Sequence, residues 1–148
     1  MWRNQGTALL LHAVIGMLIW FGAGAAMELL IRLRIAADGL SDYIFLFFCL
    51  VGLLFYYWAG KRYLRKLSTK QENLLSVSLV SIIGILLWGS CYFFTDGGFA
   101  WVPYMLYNAA LYPLITLFPA DGEAFFVIVA FLPSLVFWLA LQRQERRT

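Results

Sequence analysis

Apolar positions in this chain run on in long stretches instead of alternating with polar ones, and the polar residues between them fall in short clusters. The first stretch extends from about Ala8 to Ile31, 24 residues. As a helix it covers about 36 Å, more than the roughly 30 Å hydrocarbon thickness of a bilayer. A second covers about 43–60 and ends in Tyr56-Tyr57-Trp58, an aromatic cluster of the kind enriched at membrane–water interfaces. A third runs over about 74–94 and stops at Thr95-Asp96-Gly97-Gly98, a strong turn signal. The last clear stretch is about 124–141, followed by an arginine-rich tail. Each predicts a spanning helix. Arg3, the apolar run after it and the small residues from Gly22 to Ala26 imitate a secretory signal with its cleavage site. The run nevertheless continues through Met27, Leu29, Leu30 and Ile31, which makes it longer than a signal core, so it is read as the first span.

Between the third and fourth stretches lies a segment of a different kind, about 101–118. Its 18 residues span about 27 Å as a helix, barely enough to cross. It also carries Pro103, Pro113, Asn108 and three tyrosines. Pro113 removes a backbone donor and kinks a helix there, although spanning helices tolerate proline.

Charge decides the topology. If the segment does not cross, the N-terminus, the 61–70 loop and the C-terminal tail share one side. That side then holds Arg3, Lys61, Arg62, Arg65, Lys66, Lys70, Arg143, Arg146 and Arg147, nine basic residues against Arg32 and Arg34 opposite. If it crosses, the split becomes six to five. The positive-inside rule selects the first arrangement. The expected fold is therefore an all-α integral membrane protein with four transmembrane helices and both termini cytoplasmic. An outer-side interfacial or re-entrant helix joins the third span to the fourth, packed on the bundle so that its irregular backbone is shielded from lipid. A bacterial inner membrane is the expected location.

Composition agrees with this reading. Of 148 residues 63% are hydrophobic and 13% charged, where a soluble domain uses about 25% charged residues to cover its surface. The chain has room for one domain and shows no internal repeat. Its net charge of +3 is concentrated in the short clusters, so it reports topology and not nucleic-acid binding.

Candidate chemistry is sparse. Glu28 is the one acid inside a span, and Arg32 follows four residues later, at pairing distance along a helix face. A coupling-ion or substrate site at Glu28 is the functional alternative to that pair. With Arg34 and the acids Asp38, Asp42, Asp96, Asp121 and Glu123, Arg32 forms an outer cap of ion pairs, or a shallow site in which arginines hold a phosphate or carboxylate. His12, the single histidine, has no Cys or acid at i+3 or i+4 to complete a metal site. It is expected to pack against a backbone carbonyl or a neighbouring span. Cys49 and Cys91 sit in apolar runs with no zinc or redox spacing.

Three patterns remain. Tyr104, Asn108 and Tyr112 are spaced i, i+4, i+8 on one helical face, with Trp101 close to it. That polar, aromatic stripe suits a lipid headgroup, a cavity wall or a partner, and equally an interfacial belt. Gly22 and Ala26 in the first span, and Ser81 and Gly84 in the third, permit close helix approach within the bundle or between copies. Lys61, Arg62, Arg65 and Lys66 form a cytoplasmic basic patch that orients the chain and attracts anionic lipid.

No Gly-rich phosphate loop, HExxH or GxSxG is present, and no second histidine serves a haem or di-metal centre. No catalytic residue, metal or cofactor is therefore expected. The leading expectation is an accessory or regulatory membrane subunit, or a lipid- or peptide-binding one, with membrane lipids and either further copies or a larger membrane protein as partners. A small homo-oligomeric channel or transporter is the alternative. A weaker one is an enzyme acting on a lipid-linked substrate at the outer surface.

Overall fold

The computed structural model describes residues 1–35, 40–94, 98–111, 113–114, 123–124 and 126–144, and among these the regular structure is entirely helical. Two helices are long and apolar enough to cross a membrane: α1 (Trp2–Arg32) and α2 (Leu40–Tyr63). Less than a third of the most apolar part of either is buried. Two shorter apolar helices follow, α4 (Ser78–Phe94) and, last in the chain, α6 (Val127–Gln142). At 17 and 16 residues they extend about 25 Å and 24 Å. Between them come the short α3 (Lys70–Leu75) and α5 (Val102–Tyr107), with 3-10 turns at Gly98–Trp101 and Ala109–Leu111.

The buried residues of α1 are Asn4, Ala8, His12, Ile15, Gly16, Ile19 and Ala23, a single stripe at helical spacing. Leu10, Met17, Leu18 and Phe21 on its other faces are exposed, as are Phe47 and Leu54 of α2 and Leu86 of α4. The bundle thus carries an apolar exterior around a core that contains polar groups. Its helices approach closely where side chains are small. Gly60 of α2 faces Ala140 of α6, and Gly84 of α4 faces Ala130 of α6.

The third apolar stretch, expected as one run over about 74–94, is divided. Thr69 and Glu72 form a reciprocal capping box, Thr69 Oγ1 accepting from Glu72 N at 3.1 Å and Glu72 Oε2 from Thr69 N at 3.0 Å. This starts a separate helix, α3, that ends at Leu75. The new helix begins at Ser78, where the Ser134 hydroxyl inserts between two backbone groups. It donates to Val77 O at 2.8 Å and accepts from Ser81 N at 3.2 Å.

At the far end, α1 stops in a Schellman turn. Arg34 N donates to Ile31 O and Ile35 N to Leu30 O, with Arg34 at φ 54°, in the left-handed position that glycine usually fills.

Hydrogen bonds fix which ends lie together. Asn4 Nδ2 donates to Arg65 O at 2.7 Å, Gln5 Nε2 to Leu75 O at 3.0 Å, and Gln144 Nε2 to Lys61 O at 2.6 Å. The chain start, the 61–77 connection and the end of α6 therefore share one end of the bundle. At the opposite end Cys91 Sγ donates to Ala100 O, and Trp88 Nε1 donates to Glu123 O at 3.0 Å. Ala100 and Glu123 therefore lie at the same end.

Candidate functional site

The segment expected over about 101–118 turns inward. Pro103 lies in the first turn of α5, where its missing donor costs nothing. Trp101 is buried edge-on against Tyr104 and Phe126, and the Tyr104 hydroxyl donates to Phe126 O. The helix ends at Tyr107. Asn108 caps it, buried, with Asn108 Nδ2 donating to Tyr104 O at 3.1 Å. In the 3-10 turn that follows, Ala109 packs on Gly16, and Ala110 on Gly52 and Ile19. Gly16 and Gly52 lie near the middles of α1 and α2, so the turn sits at mid-depth. Its small side chains let backbone approach backbone there.

Placement of the sequence candidates follows. Trp101, Tyr104 and Asn108 come together inside the bundle, while Tyr112 lies outside the described residues. The helical face that would have carried all four ends at Asn108. Glu28 and Arg32 pair at 2.8 Å on the exposed surface of α1, away from the polar core, and Arg34 is exposed in the helix-ending turn. An exposed pair of this kind contributes little to stability. Asp38, Asp96 and Asp121 lie outside the described residues. In the basic patch, Lys66 Nζ donates to Gln142 O at 3.3 Å and Gln144 O at 2.6 Å, capping the C-terminus of α6, and Lys61 lies over the Tyr57 ring. Arg62 and Arg65 have exposed side chains on the same end. Cys49 and Cys91 are both buried, as thiols.

What the sequence did not bring together is a buried polar centre between α1 and α2. The Tyr56 hydroxyl of α2 lies 2.8 Å from His12 Nδ1 of α1, and the His12 ring packs against the Tyr107 ring at 4.5 Å. The Tyr107 hydroxyl donates to Val80 O at 2.7 Å. Both Tyr56 and His12 are buried.

Hydrogen-bond accounting assigns the protons. If the phenol donates to Nδ1, the ring proton sits on Nε2, and that N–H is the one group left unpaired. If Nδ1–H donates instead, the phenol proton and the Nε2 lone pair both go without partners. Each unsatisfied buried group costs about 1–3 kcal/mol, so the first arrangement holds. His12 Nε2 has no hydrogen-bond partner among the described residues.

Beside this centre a cleft of about 590 Å³ opens between α1, α4 and α5. Ala13, Gly16 and Ala109 leave the space, and His12 and Tyr107 form part of its wall. Its mouth is framed by Met17, Phe21 and Leu106, all exposed. The volume falls in the range of small-molecule sites, about 300–1,000 Å³, and the lining is apolar with few polar groups, as such sites are. Among the described residues the walls hold no carboxylate, hydroxyl nucleophile or thiol besides the Tyr107 phenol. Among the described residues no three His, Cys, Asp or Glu gather in a metal-binding group. The chemistry on offer is recognition: an apolar slot with few polar groups in its walls. No protein-family model, curated protein or solved structure matches this chain.

Proposed function

We propose that this chain is a four-crossing membrane protein that binds one lipid molecule, drawn sideways from the bilayer into the cleft beside His12. The observation that carries the reading is the cleft itself: apolar walls and a mouth on the apolar exterior. Long apolar helices buried over less than a third of their apolar length do not suit the core of a soluble domain. They suit a bundle whose solvent is lipid. In that setting α1, α2, α4 and α6 cross, and residues 98–111 re-enter from the outer face. The basic ends shared by residues 3, 61–70 and 143 face the cytoplasm, which satisfies the positive-inside rule. Helices α4 and α6 are a few ångströms short of a typical hydrocarbon core, a mismatch met by local thinning. The ligand class is a long apolar chain, held by the apolar walls of the cleft. Without a nucleophile or acid beside it, such a lipid is held and not transformed, as in a subunit that senses or presents lipid.

Two experiments address the two halves. For topology, a membrane-impermeant maleimide applied to intact cells should label Phe99→Cys, and should reach Gln71→Cys only after permeabilisation. Both are exposed positions at opposite ends of the bundle. Equal labelling of both in intact cells removes the four-crossing arrangement. For the cleft, a photoreactive benzophenone amino acid in place of Phe21, at the mouth, should cross-link one dominant lipid species. The same group at Phe47, exposed on α2 and outside the cleft, should sample bulk lipid. Indistinguishable lipid profiles at the two positions would refute a selective site.

A further inference from the structure

A second, larger cavity of about 910 Å³ lies at the end of the bundle where the chain start, the 61–77 connection and the end of α6 meet. Arg3, Arg62 and Arg65 line it together with Tyr63, Ser68 and Gln144, and among the described residues no acid does. None of the three arginines forms an ion pair among the described residues, where the one salt bridge is Arg32–Glu28. In sequence Arg3 lies far from the other two. The side chain that joins them is Asn4, itself buried. Its amide grips the backbone of Arg65 from both sides, Nδ2 donating to Arg65 O at 2.7 Å and Oδ1 accepting from Arg65 N at 3.1 Å. A third bond runs from Asn4 Nδ2 to Ser76 Oγ at 3.2 Å. Opposite, Lys66 is occupied by the carbonyls of Gln142 and Gln144, while the Gln144 amide holds Lys61 O and Leu64 O. The frame of the cavity is thus fixed by hydrogen bonds that leave its three guanidinium groups uncommitted.

We propose that this cavity binds a phosphate-bearing anion, with Arg3, Arg62 and Arg65 as its ligands and Lys66 as part of the frame. Three guanidinium groups around one cavity repel one another until an anion enters, and each offers the paired donors that suit phosphate oxygens. The site is distinct from the His12 cleft, which lies at mid-depth on the side of the bundle, and does not depend on it. Two sources share the chemistry: the headgroup of an anionic phospholipid in the cytoplasmic leaflet, and a soluble phosphate compound.

The test uses the full chain in neutral detergent, probed separately with phosphatidylglycerol in mixed micelles, phosphatidylcholine in mixed micelles, and inorganic phosphate. Bound phospholipid is read by native mass spectrometry and phosphate binding by thermal shift. The pocket variant carries Arg3→Gln, Arg62→Gln and Arg65→Gln. A charge-matched variant carries Lys61→Gln, Lys70→Gln and Arg143→Gln, exposed residues that do not line the cavity. Wild type and the charge-matched variant should bind alike, and the pocket variant at least about tenfold more weakly. Selective retention of phosphatidylglycerol with no response to inorganic phosphate assigns the headgroup. A saturable response to inorganic phosphate, lost in the pocket variant, assigns a soluble compound. Equal loss in the two variants, or no binding of any probe to wild type, overturns the proposal.

Discussion

Replacing Gly84 with leucine is expected to prevent the folded bundle from forming. A Cβ at Gly84 would lie 2.9 Å from Ala130 Cβ, 3.4 Å from Ala130 Cα and 3.4 Å from the Tyr107 ring. The first distance is a clash. Ala130 is itself backbone and one methyl group, so no flexible side chain can move aside. Relief requires α4 and α6 to separate, which strains the bonds from Ser134 to Val77 and Ser81, and from Tyr107 to Val80. Overpacking by even a few carbons costs about 1–3 kcal/mol, against roughly 5–15 kcal/mol of total stability for an ordinary domain. Leucine adds four carbons at the tightest point of the crossing. The variant should aggregate or run as a broad peak in size-exclusion chromatography in mild detergent. Gly24→Leu is the control: nothing lies within 4 Å of a Cβ there, and leucine favours helix over glycine by roughly 0.8 kcal/mol. Its thermal unfolding should match wild type or improve on it. Exchanging the two small residues, as Gly84→Ala with Ala130→Gly, should recover most of what Gly84→Ala alone loses. A Gly84→Leu protein as stable as wild type would mean that α4 and α6 do not cross here.

What could be read from the sequence was whatever depends on one helix at a time. Long apolar runs announce α1 and α2, and the clustering of basic residues groups residues 3, 61–70 and 143 on one side. The start of α3 had a local signal, Thr69 with Glu72 three residues on, but the break at Ser76–Val77 was hidden in a continuous apolar run. Its cause, the Ser134 hydroxyl, comes from a helix some fifty residues away in sequence. Likewise the periodicity of Trp101, Tyr104 and Asn108 identifies a face, and does not say whether that face looks inward. The inward turn depends on Gly16, Gly52, Ala109 and Ala110 meeting, and each of them alone is only a small residue in an apolar run. His12 was legible as a packed histidine, but its partner Tyr56 sits forty-four residues on, beside two other aromatics in an apparent interfacial cluster. The arginine cavity was half visible, as Arg62 and Arg65. Arg3 joins them only through Asn4, and no spacing rule connects residues so far apart in the chain.

The cleft makes the second large prediction. Ala13 is exposed on α1, one residue from His12, and lines the cleft without belonging to the core. Phenylalanine at this position fills space that a lipid chain would occupy. Occupancy by lipid should therefore fall at least about tenfold, since excluding even part of a buried chain forfeits about 0.8 kcal/mol per methylene. Thermal unfolding of the lipid-free protein should stay close to wild type, and Ala13→Ser, which adds one oxygen, should bind as wild type does. The direct measurement is native mass spectrometry of wild type and Ala13→Phe, each extracted gently from its own membrane with its lipids. The account predicts a wild-type chain carrying one lipid of a defined class and an Ala13→Phe chain of unchanged fold without it. Equal lipid adducts on the two proteins, or a wild-type chain that releases all lipid at the first mild activation, would contradict it.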